Sequence, residues 1–250
     1  MSELLGGRLS LAQPSSGYRV NVDAFWLAAF AAAGGRPARH VVDLGAGIGT
    51  VGLTLLLAGA ARATLVEADP ELAALGSENA RAFEARATVV DHDVRARAPK
   101  ALLGVADLVV CNPPYGVTGR SRPAALRHAR ARQGEPGLLS AFARTTRAVL
   151  GPSGRACFVY PPSELSTLLA ALDSTGLPAK RLRLVHPLPG RAASVALVEV
   201  KPARPGGTRV EAPFVAMTEP GRWSEEASAI LGGAITFRDT TSARRPARAP

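Results

Sequence analysis

The stretch Asp43-Leu44-Gly45-Ala46-Gly47-Ile48-Gly49-Thr50 links a short β-branched run, residues 41–44, to an apolar helix-like run, residues 51–58. Glycine adopts backbone conformations that other residues rarely reach, and it lets a ligand approach the main chain without a Cβ in the way. The first N–H groups of the following helix have no partner within that helix and attract polar ligand groups. A glycine-rich turn from strand to helix therefore predicts an open α/β sheet with a ligand site at the turn.

The rest of the chain continues the alternation of short β-branched runs with longer helix-like runs. This pattern predicts βαβ units and a parallel sheet with helices on both faces. Residues 187–193, between the last two strands, are too few for a crossover helix, so the last strand should run antiparallel. We therefore expect a Rossmann-like α/β fold with a seven-stranded, mostly parallel sheet. The predicted strands are 41–44, 63–66, 87–90, 107–111, 155–160, 182–186 and 194–200, and the predicted helices are 22–33, 51–58, 70–83, 138–150 and 163–173, the last with Ser163 as its N-cap.

The amino-acid composition limits the classes of protein to which this chain can belong. The 250 residues, 47% of them hydrophobic, are enough for one main core. The apolar runs are much shorter than the roughly 20 residues that span a bilayer, and no secretory signal is recognisable, so we expect a cytoplasmic protein without a membrane partner. Cys111 and Cys157 are too few for a disulfide framework or a zinc site, so we expect buried thiols and no metal. The net charge of +10 suits a nucleic-acid partner.

Carboxylates lie close to the ends of three predicted strands. Glu67 ends the second strand, where an acid accepts hydrogen bonds from ribose hydroxyls in folds of this kind. Asp93 follows the third strand, in position to meet an adenine amino group. Asp43 precedes the glycines and suits the methionyl ammonium of S-adenosylmethionine. With Gly45, Gly47, Gly49 and Asn112, these residues form the predicted cofactor site.

The fourth predicted strand ends in Asn112-Pro113-Pro114-Tyr115, which belongs to the same sheet edge. An exocyclic or amide nitrogen is a poor nucleophile because its lone pair is delocalised, unless acceptors hold its hydrogens so that the nitrogen pyramidalises. The Asn112 side-chain oxygen supplies one acceptor, and the Pro113 carbonyl, fixed by two stiff prolines, supplies the other. Tyr115 would stack on the planar target. This box predicts methyl transfer to a planar nitrogen.

The glycine-rich turn is also compatible with an enzyme that binds a nicotinamide dinucleotide. The run Gly47-Ile48-Gly49-Thr50-Val51-Gly52 also satisfies the dinucleotide fingerprint, and Glu67 follows at about the right distance. Asp43 before the glycines and the box at residues 112–115 favour S-adenosylmethionine instead.

Together these motifs resemble the N6-adenine methyltransferases, and within them the bacterial tRNA(1)(Val) adenine-37 N6-methyltransferase family of the small-methyltransferase superfamily. The likeness extends from about Leu5 to Gly233, and the box is shared with N5-glutamine, rRNA guanine and DNA adenine enzymes. It therefore implies the reaction type more strongly than the substrate.

The N-terminal region adds to the resemblance. Gly6-Gly7-Arg8-Leu9, Gln13-Pro14 and residues 17–23 are similar to the family's segment that closes over the cofactor. The resemblance implies roles for Tyr18, Arg19 and Asp23 near the methionine part. It divides the chain into the closing segment 1–38, a methyltransferase domain 39–239 and a disordered basic tail 240–250.

A cluster of arginines follows the box. Residues 116–134 hold Arg120, Arg122, Arg127, Arg130 and Arg132 and no acidic residue. We expect Arg120, Arg122 and Arg130 to hold RNA phosphates, with Pro114 and Tyr115 against the target base. The favoured function is S-adenosylmethionine-dependent methylation of adenine N6 in RNA, most simply tRNA. The alternatives are a protein-glutamine or small-molecule N-methyltransferase with the same site, and a non-catalytic RNA-binding module.

Overall fold

The computed structural model describes residues 2–15, 20–113, 137–202 and 206–238, and within them strands and helices alternate in the predicted order. The strands are β1 Ser2–Leu4, β2 Leu9–Leu11, β3 His40–Leu44, β4 Arg62–Glu67, β5 Ala87–Asp91, β6 Ala106–Cys111, β7 Leu150–Tyr160, β8 Ala179–His186, β9 Val195–Val200, β10 Arg209–Val210, β11 Phe214–Val215, β12 Met217–Glu219 and β13 Arg222–Trp223. The helices are α1 Asp23–Ala33, α2 Thr50–Leu57, α3 Pro70–Ala80, α4 Leu138–Val149, α5 Leu165–Asp173 and α6 Glu225–Leu231. Seven predicted site residues, Tyr18, Arg19, Pro114, Tyr115, Arg120, Arg122 and Arg130, lie outside the described residues, as does the basic tail.

The central sheet has the order β10-β8-β9-β7-β6-β3-β4-β5, with β11 also paired to β8. Strands β3 to β7 run parallel, while β9 runs antiparallel to both β7 and β8, so the expected reversal of the last long strand is confirmed. The described residues form nine strands in this sheet where seven were predicted. The two extra strands, β10 and β11, have two residues each, too few for a recognisable alternation.

Helices cover both faces of the sheet, as predicted. Along β6, Leu108 and Val110 join the apolar core shared with α1 and α2, whereas Val109 and Cys111 join the core shared with α4 and α5. This alternation follows from the two-residue period of a strand. Both cysteines are buried free thiols, as expected. None of the helices in the described part of the chain has the length and apolarity needed to cross a membrane.

Four predicted boundaries differ from the structure by two residues or more. One of them is the start of β8, at Ala179 instead of Leu182. Ser163 is not an N-cap, because Pro162, whose ring fixes φ, begins a 3-10 turn and α5 starts only at Leu165, capped by Glu164 without a side-chain bond. Strand β7 begins at Leu150 instead of Arg155, because Gly151 and Gly154 allow the close approach of the Gly104 and Ala106 carbonyls. Helix α3 ends at Ala80 and continues as a 3-10 turn to Arg86.

The N-terminal hairpin is attached to the C-terminal helix. Strands β1 and β2 pair antiparallel, and Arg8 Nη1 on their connecting turn donates a hydrogen bond to Gly233 O at 2.6 Å. Leu9 and Leu11 are buried in the core on the α1 side of the sheet. The first residues of the chain are therefore packed against the same domain that carries the glycine-rich turn.

Candidate active site

The predicted cofactor residues meet at the carboxyl edge of the sheet. Leu44 at the end of β3 pairs with Cys111 of β6 on one side and with Val66 of β4 on the other, and Glu67 pairs with Asp91 of β5. Neighbouring strands lie about 4.8 Å apart, so the ends of β6 and β4 are roughly 10 Å apart with the glycine turn between them. Asn112, the glycines, Glu67 and Asp93 thus follow one another along a single edge.

The glycine turn adopts a conformation that side chains would disfavour. Gly45, Gly47 and Gly49 have φ values of +69°, +57° and +90°. The N–H groups of Gly45 and Ala46 both donate to Val66 O, at 2.9 and 3.0 Å, which fastens the turn to the end of β4. Gly49 then caps α2 in a left-handed conformation. A Cβ at Gly49 would lie 2.7 Å from Leu65 Cδ1, and one at Gly45 would lie 3.2 Å from the Phe142 ring, so these glycines allow close packing around the turn. The first N–H groups of α2 remain available to a nucleotide-like ligand.

Glu67 connects the turn to the next strand. Its Oε2 accepts from Gly47 N at 2.8 Å, and its Oε1 accepts from Ala68 N and Asp69 N at 2.9 and 2.8 Å. A carboxylate has about four lone-pair directions, and three are occupied here, so the half-buried Glu67 can accept from about one further donor. Binding of the ribose by Glu67 stays a prediction.

Asp43 lies deeper than its predicted contact with an ammonium group would suggest. Its side chain is 1% exposed, and its Oδ2 accepts from Gly52 N in α2 at 2.8 Å. Burial raises the pKa of Asp43 to about 7; the hydrogen bond from Gly52 opposes this rise, and the negative charge of Glu67 adds to it. Asp43 therefore fixes α2 relative to β3 and can exchange a proton near neutral pH.

Asp93 lies at the sheet edge as predicted, but its carboxylate is paired with Arg95. His92 N donates to Glu67 O at 3.0 Å, which fixes the start of this loop beside β4. Both Asp93 oxygens accept from Arg95, with Arg95 Nε at 3.0 and 2.9 Å. The carboxylate is about one third exposed, so an adenine amino group would share it with the Arg95 guanidinium.

Asn112 follows directly after β6, beside the glycine turn. It is half-buried, and Pro113 is buried, so the beginning of the box lies against the protein. Tyr160 at the end of β7 is the neighbouring group on the other side, because Cys111 pairs with Phe158. Burial raises the pKa of Tyr160, and nearby Glu164 raises it further. The Tyr160 hydroxyl is thus neutral at physiological pH.

Asn79, which the sequence analysis missed, ties the N-terminal segment to the turn. It is buried on α3; its Nδ2 donates to Ala12 O and Ile48 O, and its Oδ1 accepts from Ala12 N at 2.7 Å. Gln13 Oε1 in turn accepts from Val20 N at 3.1 Å and joins the two sides of residues 16–19. A single Asn in a helix carries no signal for such a role, because its partners are remote in sequence.

Asp23, expected near the methionine part, is the first residue of α1 and accepts from Asn21 Nδ2 at 2.6 Å. The other end of α1 lies at the amino edge of the sheet, where Arg181 Nη2 donates to Phe30 O. A helix of 11 residues is about 16 Å long, so Asp23 is on the carboxyl-edge side.

The described part of the site fits S-adenosylmethionine. Glu67 has an acceptor direction left for a hydroxyl, the glycine turn leads into the N-terminus of α2, and Asp43 supplies a carboxyl behind that turn. The same edge carries Asn112, directly after β6. Of the predicted residues, Asp23, Asp43, Gly45, Gly47, Gly49, Glu67, Asp93, Asn112 and Pro113 lie in the described part of the chain.

Comparisons with known proteins agree with this description. Residues 24–159 match the model of the methyltransferase small domain family. A tRNA1(Val) (adenine(37)-N6)-methyltransferase from Tolumonas auensis is 31% identical over 65% of this chain and 68% of its own length. Its namesake from Shewanella halifaxensis is 29% identical over 63% of this chain, and the alignment spans 62% of that relative.

Solved structures share the fold. The crystal structure of a predicted O-methyltransferase from Agrobacterium tumefaciens superposes with a TM-score of 0.69 at 23% identity, over 87% of this chain and 99% of the other. The family match covers more than half of the chain and includes the glycine turn, Glu67 and Asn112. The nicotinamide alternative is therefore set aside. The chain belongs to the methyltransferase small domain family and is an S-adenosylmethionine-dependent methyltransferase.

Proposed function

We propose that this enzyme methylates the N6 amino group of an adenine in tRNA. The observation that carries the proposal is the position of Asn112, half-buried at the end of β6 and one strand away from the glycine turn. The two curated relatives named as tRNA adenine-N6 methyltransferases support the choice of acceptor. The net charge of +10 supports an RNA substrate, and tRNA as substrate implies a cytoplasmic enzyme.

In this proposal Asn112 and Pro113 act on the target nitrogen. The Asn112 Oδ1 and the Pro113 carbonyl accept the two amino hydrogens, which draws the nitrogen lone pair out of conjugation with the ring. The sulfonium cofactor supplies the electrophilic methyl group. The nitrogen becomes cationic as the new bond forms, so its proton can leave afterwards and no strong base is needed at the nitrogen. Tyr115 and Pro114 hold the flipped base, and Arg120, Arg122 and Arg130 hold flanking phosphates.

The remaining described residues hold the cofactor in this proposal. Glu67 accepts from the ribose hydroxyls, Asp93 from the adenine amino group, and Gly45, Gly47 and Gly49 line the pocket. Asp43 acts from behind the turn, where its ionisation near pH 7 places a negative charge close to the methionyl ammonium. Residues 1–38, including Tyr18, Arg19 and Asp23, form the segment that covers the methionine part.

The test is transfer of a radiolabelled methyl group to competing acceptors. Purified wild-type enzyme is offered tRNA from a strain lacking the gene, and, separately, cell protein and a small-molecule extract. Label in tRNA and in neither other fraction is the expected result. Label in protein would instead assign a glutamine amide as acceptor. Binding of tRNA without cofactor binding or transfer would establish a non-catalytic module and overturn the proposal.

A further inference from the structure

A basic pocket lies at the amino edge of the sheet, opposite the candidate active site. It forms where the end of α1 meets the start of the pairing between β8 and β9. Its volume is about 190 Å³, room for about six water molecules at roughly 30 Å³ each. The lining residues are Gly34, Lys180, Arg181, Glu199, Lys201, Arg209 and Arg238.

The floor of the pocket is a buried ion pair. Arg181 Nη2 lies 3.1 Å from Glu199 Oε2, and the two side chains are 6% and 4% exposed. Arg181 also donates to Phe30 O and stacks on the Phe30 ring, with its Cζ 3.8 Å from the ring centroid. A guanidinium held from several sides keeps one orientation, so the floor is preorganised. Arg181 Nε has no hydrogen-bond acceptor among the described residues.

Positive charge exceeds what the local carboxylates balance. Among the described residues, the pocket and its floor hold six cationic side chains against two carboxylates, Glu199 and Glu211. Ion pairs account for four of the six cations. Arg155, Arg181 and Lys201 face Glu199, and Arg181 and Arg209 face Glu211. They do not account for Lys180, which donates to Gly206 O, or for Arg238 on the rim. Like charges at one site repel each other. The excess of positive charge on the rim therefore does not stabilise the fold.

We propose that this pocket binds a backbone phosphate of the RNA substrate, at a distance from the methylated base. This inference rests on the proposed function. A phosphate oxygen meets the requirements of the site: it accepts several charge-assisted hydrogen bonds and neutralises an excess of cations. A six-residue strand is about 20 Å long, so the pocket lies at least that far from Asn112 along the sheet. A folded tRNA is longer than this distance, whereas a hairpin truncated to the loop and the first base pairs of its stem is shorter than it.

The test compares two substrates and two matched variants. Lys180, Arg209 and Arg238 are changed together to Ala, which removes three rim charges and keeps both partners of the buried Arg181–Glu199 pair, although Arg209 also pairs with Glu211. The control changes Arg81, Arg144 and Arg147 to Ala, which removes the same charge from exposed positions on α4 and after α3. Methyl transfer is measured on whole tRNA and on the short hairpin, with tRNA affinity recorded across a range of salt concentrations.

The pocket variant should raise KM for whole tRNA about tenfold, leave hairpin methylation unchanged, and flatten the salt dependence of tRNA affinity by about one phosphate contact. The control variant should change the KM for whole tRNA and the salt dependence of tRNA affinity much less. If the pocket variant behaves like the control while wild type methylates tRNA, the pocket has no phosphate role. If wild type methylates neither RNA, the proposed function itself fails. Lys180→Glu alone, which breaks no ion pair of the described residues, gives the same direction of change should the triple variant unfold.

Discussion

Replacing Asp43 with Asn tests the consequence of burying a carboxyl behind the glycine turn. The amide keeps an oxygen that can accept from Gly52 N, so the change removes the ionisable group and preserves the geometry. In the folded protein the pKa of Asp43 is raised to about 7, mainly by burial, whereas an aspartate in an unfolded chain titrates near about 4. The unfolded chain therefore loses this proton at a lower pH than the folded protein does.

The sign and size of the effect follow from this difference. Below about pH 4 the carboxyl is neutral in both states and contributes no pH dependence. As pH rises towards 7, the unfolded state gains stability from ionisation that the buried group cannot match, so wild type loses stability relative to the variant. A pKa about three units above the ordinary value corresponds to about 4 kcal/mol, of which about 3 kcal/mol should develop between pH 5 and pH 8.

The assay is urea denaturation, followed by tryptophan fluorescence, of wild type and Asp43→Asn at pH 5 and pH 8. The free energy of unfolding of the variant, minus that of wild type, should increase by about 3 kcal/mol over this range. Asp91→Asn makes the same chemical change at an exposed position at the end of β5 and serves as the matched control. A difference that is independent of pH, or that shrinks as pH rises, would refute the reasoning.

Three further changes probe other parts of the molecule. Asn79→Ala should cost about 2 kcal/mol of unfolding free energy and weaken cofactor binding, because the Ala12 and Ile48 backbone groups lose their partner; Ser153→Ala, at an exposed position in β7, should change neither, and equal effects would contradict this. Glu199→Gln should lower the free energy of unfolding in urea by about 3 to 5 kcal/mol, because Arg155 and Arg181 lose their buried carboxylate. The control is Glu211→Gln at a more exposed position, and a loss for Glu199→Gln no larger than that of the control would disprove this prediction. Burial lowers the pKa of His40, so wild type should lose stability as pH falls below about 6.5; His40→Gln should flatten that loss in thermal unfolding, and an unchanged slope would count against it.

Much of the fold was predictable because local patterns carry it. Strands β3, β4, β5, β6 and β9 each contain at least two β-branched residues, and the reversed β9 follows from the short connection before it. The positions of Gly45, Glu67 and Asn112 were predictable as well, since residues that follow parallel strands meet at one edge. Two-residue strands such as β10 carry too little sequence for a pattern.

The finer features of the site depend on contacts that no local pattern encodes. The depth of Asp43 results from the packing of α2 against β3 and not from the residues beside it. Asn79 is 67 residues from Ala12, and Arg181 is 151 residues from Phe30, so only the folded chain brings these partners together. The buried floor of the basic pocket was invisible for the same reason. The charges of its rim were diluted in an arginine-rich sequence.

The central claim is that Asn112 directs methyl transfer to an adenine amino group. Its most direct test is to digest tRNA labelled by wild type, by Asn112→Ala and by the control Ser153→Ala, and to identify the methylated nucleoside. We predict N6-methyladenosine with wild type and the control, and at least about a hundredfold less with Asn112→Ala at saturating cofactor. Label in another nucleoside, or N6-methyladenosine formed equally well by Asn112→Ala, would contradict it.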